Sequence, residues 1–188
     1  MAVAGLCLPM LAGCIVLSVY PFYNPQDVIF DPAITGHWAK ADAAGETWQF
    51  DAAGDNAYLV TVKDSNQTNC FEAHLFKLKQ SNTHFLDLLT TNRDAFELPM
   101  HLISTVTQND SNLTVQFMDY GWLTRVLETN TVALRHIVVP QNTGDTNQGN
   151  MLYVTASTRD LQGFLLKYAI DTNAFNPASA INLNRTTQ

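Results

Sequence analysis

Gly36-His37-Trp38-Ala39-Lys40, then Glu46-Thr47-Trp48-Gln49-Phe50, then Ala57-Tyr58-Leu59-Val60-Thr61-Val62-Lys63: these three runs decide the fold. Each is short and tends to alternate apolar with polar residues. Each is rich in the aromatic and β-branched types that suit a pleated, half-buried surface. The connections between them, Ala43-Ala44-Gly45 and Ala53-Gly54-Asp55-Asn56, consist of small and turn-forming residues and suit hairpins. The pattern continues along the chain. Further runs span Cys70 to Leu78, His84 to Leu88, His101 to Val106, Leu113 to Met118, Leu134 to Val139 and Met151 to Thr155. Sequential strands with short turns favour an antiparallel meander over a parallel sheet. Such a meander leaves exposed edges unless it closes on itself. The predicted fold is therefore mainly β, an antiparallel meander closed into a barrel.

Two helices interrupt the strands. Tyr120 to Asn130 carries Trp122, Leu123, Val126 and Leu127 at helical spacing. In the second, Ser157 is placed to cap, and Leu161, Phe164, Leu165 and Tyr168 form an apolar stripe at i, i+3, i+4 and i+7. This helix is expected on the outside or the mouth of the barrel. Gln141 to Asn150 reads as a polar loop, and residues 176–188, rich in Asn, Thr and Ser, as a frayed tail.

Toward the N-terminus the chain changes character. Met1 to Gln26 contains no Lys, Arg, Asp, Glu or His. An uncharged apolar run of that length reads as an export signal or a membrane anchor. Within it, Leu11-Ala12-Gly13-Cys14 resembles a bacterial lipobox, in which the cysteine is lipidated and becomes the new N-terminus. No basic residue precedes Cys14, a departure from the usual signal peptide. The expected division is a signal peptide at 1–13 (or a signal anchor at 2–22), a membrane-proximal linker at 14–30 and a barrel domain at 31–175. Either reading places the domain on a membrane, outside the cytoplasm, in the cell envelope.

Of 188 residues, 46% are hydrophobic and 14% charged, enough apolar surface for a real core. The net charge of −7 and the lack of any Lys/Arg run argue against nucleic acid as a partner. Besides Cys7 and Cys14 the chain has one cysteine, Cys70, so a domain without its leader must hold together without an internal disulfide.

The chemistry-bearing residues are sparse. His37, His74, His84, His101 and His136 show no metal-ligand spacing, although His74 and His84 flank a hairpin that would bring them near each other. Glu72 and Asp87 are acids within apolar strands and form a carboxylate pair of the type glycosidases use, but outward-facing surface acids explain them as well. Gly-x-Ser-x-Gly and phosphate-binding glycine loops are both missing. No catalytic residue, metal or cofactor is therefore expected, and a hydrolytic enzyme is a distant alternative. For ligand binding, Trp38, Trp48 and Tyr58 are candidates to line a pocket, while Arg125 and Arg135 are candidates to grip an anionic group. Core packing and local ion pairs are the competing explanations of these five residues.

Gly36-His37-Trp38 near the start of the meander, the strand count and the late helix together resemble lipocalin-like (calycin) barrels. In those barrels a Gly-x-Trp plugs one barrel end and a helix follows the last strand. The chain is also similar to a group of uncharacterised bacterial envelope lipoproteins. The shared features are the lipobox, Pro21-Phe22-Tyr23, Phe30-Asp31-Pro32, Trp48-Gln49-Phe50, Glu72-Ala73-His74-Leu75, Phe85-Leu86-Asp87-Leu88 and Thr155-Ala156-Ser157-Thr158. The resemblance implies an address and a fold, and no chemistry. The expectation is a membrane-anchored lipocalin-like protein that takes a small apolar or amphipathic ligand. Its rival is a solid-cored interaction or structural module of the envelope. An open interior of a few hundred Å³ would favour the first.

Overall fold

The computed structural model describes residues 15–43, 45–91, 98–139 and 151–186. The predicted loop at 141–150, Cys14 and the residues before it lie outside them. The strands are β1 (Leu17–Ser18), β2 (Val28–Ile29), β3 (Gly36–Lys40), β4 (Thr47–Ala52), β5 (Ala57–Lys63), β6 (Thr68–Lys77), β7 (His84–Thr90), β8 (His101–Gln108), β9 (Asn112–Phe117), β10 (His136–Val139), β11 (Met151–Val154) and β12 (Ile181–Arg185). Two helices, α1 (Tyr120–Glu128) and α2 (Thr158–Tyr168), follow β9 and β11.

Eight strands close into an antiparallel barrel. The ring runs β3-β4-β5-β6-β7-β8-β9-β12 and returns to β3. The first hairpins form where turn residues allow. Asp55 and Asn56 both adopt positive φ, 59° and 58°, as the two central residues of a tight hairpin turn require. From there the register fixes which side chains face inward. Trp38 stands opposite Trp48, and Trp48 opposite Val62. Inside the barrel these pack with Phe50, Tyr58, Val60, Phe71, Leu75, Leu86, Leu88, Leu113 and Leu183.

A second apolar core lies on the outer face. Phe76, Phe85 and Ile103 point away from the lumen and are covered by Trp122, Leu123 and Leu127 of α1 and by Leu161, Phe164 and Leu165 of α2. The helices thus hide strands that are apolar on both faces. Each helix is capped by its own sequence. The Asp119 carboxylate accepts from Trp122 N–H at 2.6 Å, and the Ser157 hydroxyl accepts from Asp160 N–H at 3.3 Å.

Three expectations need correction. Residues 181–185 do not fray: β12 pairs with β9 on one side and β3 on the other, so it is the strand that closes the ring. The last strand therefore follows the late helix instead of preceding it. Residues 15–30 are not a linker outside a domain starting at 31. β1 pairs with both β8 and β11, β2 pairs with β6, and Val16 and Phe22 are buried in the outer core. A signal-anchor helix reaching residue 22 is incompatible with this arrangement, because residues 17–18 are strand. Residues 15–22 read as part of an apolar leader because strand pairing and the outer core cover much of this segment, which leaves it as apolar as an export signal.

One end of the barrel is sealed. The turn Pro32–Ile34 crosses it, and the Ile34 carbonyl accepts from the Trp38 indole N–H at 2.9 Å. The Arg185 guanidinium lies over the Trp38 ring, 4.2 Å from its centroid, and donates to the carbonyls of Thr35 and Ala33. Gly36 permits this closeness. Its φ is +119°, and a Cβ there would stand 3.0 Å from Arg185 Nη1.

Candidate functional site

The opposite end of the barrel is open. A cavity of about 610 Å³ enters the lumen there. Its walls are Trp48, Val62, Phe71, Leu88, Leu102 and Phe117, and its rim carries Lys40, Asp42, Glu46, Asp64 and Asn69. The wall residues come from consecutive strands because period-2 alternation sends every second side chain inward. Ile15, Met118, Tyr120 and Ala178 to Ile181 complete the mouth, so the N-terminal segment and the connection before β12 both border it.

Glu46 is the unusual rim residue. It is only 5% exposed. Its Oε1 accepts from the Trp48 indole N–H at 3.0 Å, while its Oε2 is buried without a hydrogen bond. Lys40 Nζ lies 3.4 Å from that oxygen and 3.9 Å from Asp42 Oδ1. Sequence reasoning passed over Glu46 because it sits at a strand edge beside a turn and belongs to no motif.

The five candidate ligand residues divide. Trp48 lines the cavity. Trp38 and Tyr58 do not: both are fully buried toward the sealed end, where Tyr58 Oη holds the backbone of Asp31. Arg125 and Arg135 are exposed outside the barrel, away from the lumen. All three aromatic residues lie in the barrel interior, but position along the barrel axis is not readable from residue type.

A second polar constellation occupies the outer face. The Asp87 carboxylate is 1% exposed, lies 2.7 Å from His101 Nδ1 and accepts the Phe22 backbone N–H at 2.9 Å. Its neighbour Tyr23 stacks on His74, with ring centroids 4.6 Å apart, and Tyr23 Oη shares a 3.0 Å hydrogen bond with His74 Nδ1. These bonds fasten the Pro21-Phe22-Tyr23 stretch to the barrel wall. The constellation answers two earlier candidates. Glu72 is half-exposed and 3.9 Å from His74 Nε2, whereas Asp87 is buried against His101 and the Phe22 backbone, so the two acids have different surroundings. His84 stands opposite Lys77 and not near His74, whose partner across the strands is Asp87. Among the described residues, no group of three or more His, Cys, Asp and Glu side chains is arranged to hold a metal ion.

Burial and nearby carboxylates push the Tyr23 hydroxyl up to about 12. Burial likewise lowers His74, against the opposing pull of Glu72 and Asp87. The folded protein then refuses a proton that the unfolded chain accepts. Stability supplied at His74 is present above the ordinary histidine value and falls as pH drops through it toward the lowered folded value. Urea midpoints at about pH 7.5 and about pH 5.5 will show a larger acid loss for the wild type than for His74→Gln. Equal losses would contradict this assignment.

No family model, curated protein or solved structure matches the chain. The closed eight-stranded barrel is compatible with a lipocalin-like fold on geometry alone. No helix of the described residues is long and apolar enough to cross a membrane, which says nothing of a crossing by strands.

Proposed function

We propose that this chain is an extracytoplasmic, membrane-anchored, lipocalin-like protein that binds a small apolar or amphipathic molecule in its barrel. The observation that carries the reading is the open lumen of about 610 Å³ with apolar walls and a polar rim. That size and lining are typical of small-molecule sites, which are mostly apolar with a few placed polar groups. The constellation on the outer face has a positioning role in this reading, and the protein is a binder and not a catalyst.

The test is native mass spectrometry of the protein purified gently from cells. A reproducible extra mass, released on denaturation, is the expected result. A bare polypeptide that also fails to take up any alkyl probe would end the binding reading. The anchor has its own test. Labelled palmitate should enter the wild-type protein and not Cys14→Ser, which should accumulate as precursor. Equal incorporation into both would remove the lipidation proposal.

A specific feature favours a second reading, an interaction module. β10 is a sheet-edge strand whose four residues are all exposed, and Ile137, Val138 and Val139 are 55%, 47% and 44% exposed. Among the described residues its outer edge pairs with no strand. Such an edge suits an added strand from another chain.

A further inference from the structure

We infer that the barrel selects ligands carrying an ammonium or similar N–H donor at one end of an apolar body, and disfavours carboxylates. The inference rests on the binding reading above and specifies its ligand class.

The argument starts from Glu46. A carboxylate can accept about four hydrogen bonds. Glu46 Oε1 takes one from Trp48, and Oε2 takes none although it is buried on the cavity rim. A buried acceptor met only by an ion pair outside hydrogen-bond geometry gains from a better-placed donor. Lys40 cannot fully meet that need. Its Nζ sits between Glu46 and Asp42, 3.4 and 3.9 Å away, and makes no hydrogen bond to Glu46 Oε2. Trp48, which orients Glu46, is itself a wall of the cavity, so a ligand body against the indole places its end group beside the Glu46 carboxylate, where it competes with Lys40 for Oε2.

The charge around the mouth points the same way. Among the described lining residues the acids are Asp42, Glu46, Asp64 and Asp119, and the sole base is Lys40. Asp119 already caps α1, and Asp64 accepts from the backbone of Asn66 and Gln67. Their charge nevertheless makes the mouth negative, and low-dielectric walls concentrate that field. An ammonium group gains both a charge-assisted hydrogen bond at Glu46 and a favourable potential. A carboxylate meets four like charges and finds one lysine already shared.

The full chain should be titrated with dodecylamine, dodecanol and dodecanoate, each below its micelle concentration, following Trp fluorescence and calorimetry. We expect the amine to bind about tenfold or more tighter than the carboxylate, with the alcohol between them. Glu46→Gln keeps an oxygen for the Trp48 N–H and should cut the amine's advantage by about tenfold. Equal binding of all three probes, or tighter binding of dodecanoate, would overturn the inference and leave the binding reading standing. Binding of none would end both. An unchanged amine preference in a folded Glu46→Gln protein would take the selectivity away from Glu46. The comparison of head groups on the wild type decides the question even if that variant does not fold.

Discussion

A chain ending at Ala180 will not unfold in a single cooperative transition. The missing residues include β12, which lies between β9 and β3 with Leu183 fully buried in the lumen. Without it the ring opens, two strand edges are left unpaired, and the inner core loses one wall. Exposed edges of this kind invite pairing between molecules, so aggregation should accompany the loss. Arg185 leaves with the strand, and the Trp38 ring loses its cover. Circular dichroism on heating, with size-exclusion chromatography, measures the effect. If the truncated chain melts cooperatively within a few degrees of the full chain, β12 does not close the barrel.

Trp38→Ala should destabilise the protein by about 3–5 kcal/mol, the usual cost of emptying a large aromatic site that cannot collapse. The site cannot collapse easily because three supports converge on the indole. The Ile34 carbonyl takes its N–H, Arg185 stacks over its face, and Trp48 stands opposite on the next strand. Removing the ring also leaves the Ile34 carbonyl without its donor. Trp38→Phe keeps much of the volume and should lose markedly less. Urea unfolding of the two variants separates packing from the hydrogen bond. A loss below about 1 kcal/mol for Trp38→Ala would mean that the sealed end is not a rigid floor.

The barrel wall was legible because β4 to β6 and β9 tend to alternate and are joined to their neighbours by turn residues, while β7 and β8 are short apolar runs buried on both faces. Gly36 to Lys40 and Ala57 to Lys63 match their strands end for end. β12 was missed because only Ile181 and Leu183 carry its inward signal, and the flanking Asn, Arg and Thr residues read as a loose tail. Still, Ile181-Asn182-Leu183-Asn184 does alternate, and that pattern was there to be weighed. β1 was missed for the opposite reason. Val16 packs in the outer core while Ile15 and Leu17 pack against the inner one, so apolar residues fall on both faces and period gives little clue in such a strand. The Asp87–His101 pair is 14 residues apart in sequence, and only the β7–β8 register brings the two together. The cavity depended on axial position: two tryptophans on adjacent strands stand opposite each other, yet one helps seal the floor and the other lines the mouth. Residue type alone does not distinguish them.

Ile15 is bridged to Asp119 and borders the mouth of the cavity. A lipid tether on Cys14 would therefore have a reach of a single residue, about 3.8 Å. With so short a protein tether, the opening would be held close to the headgroup layer. A guest would then transfer by partition from the plane of the membrane instead of by diffusion through bulk water. Its effective concentration would be set by its mole fraction among the lipids, so even a weak site would fill for a molecule that is dilute in solution yet abundant in the leaflet. Spacer residues inserted between Cys14 and Ile15 would turn that two-dimensional exchange back into a three-dimensional search.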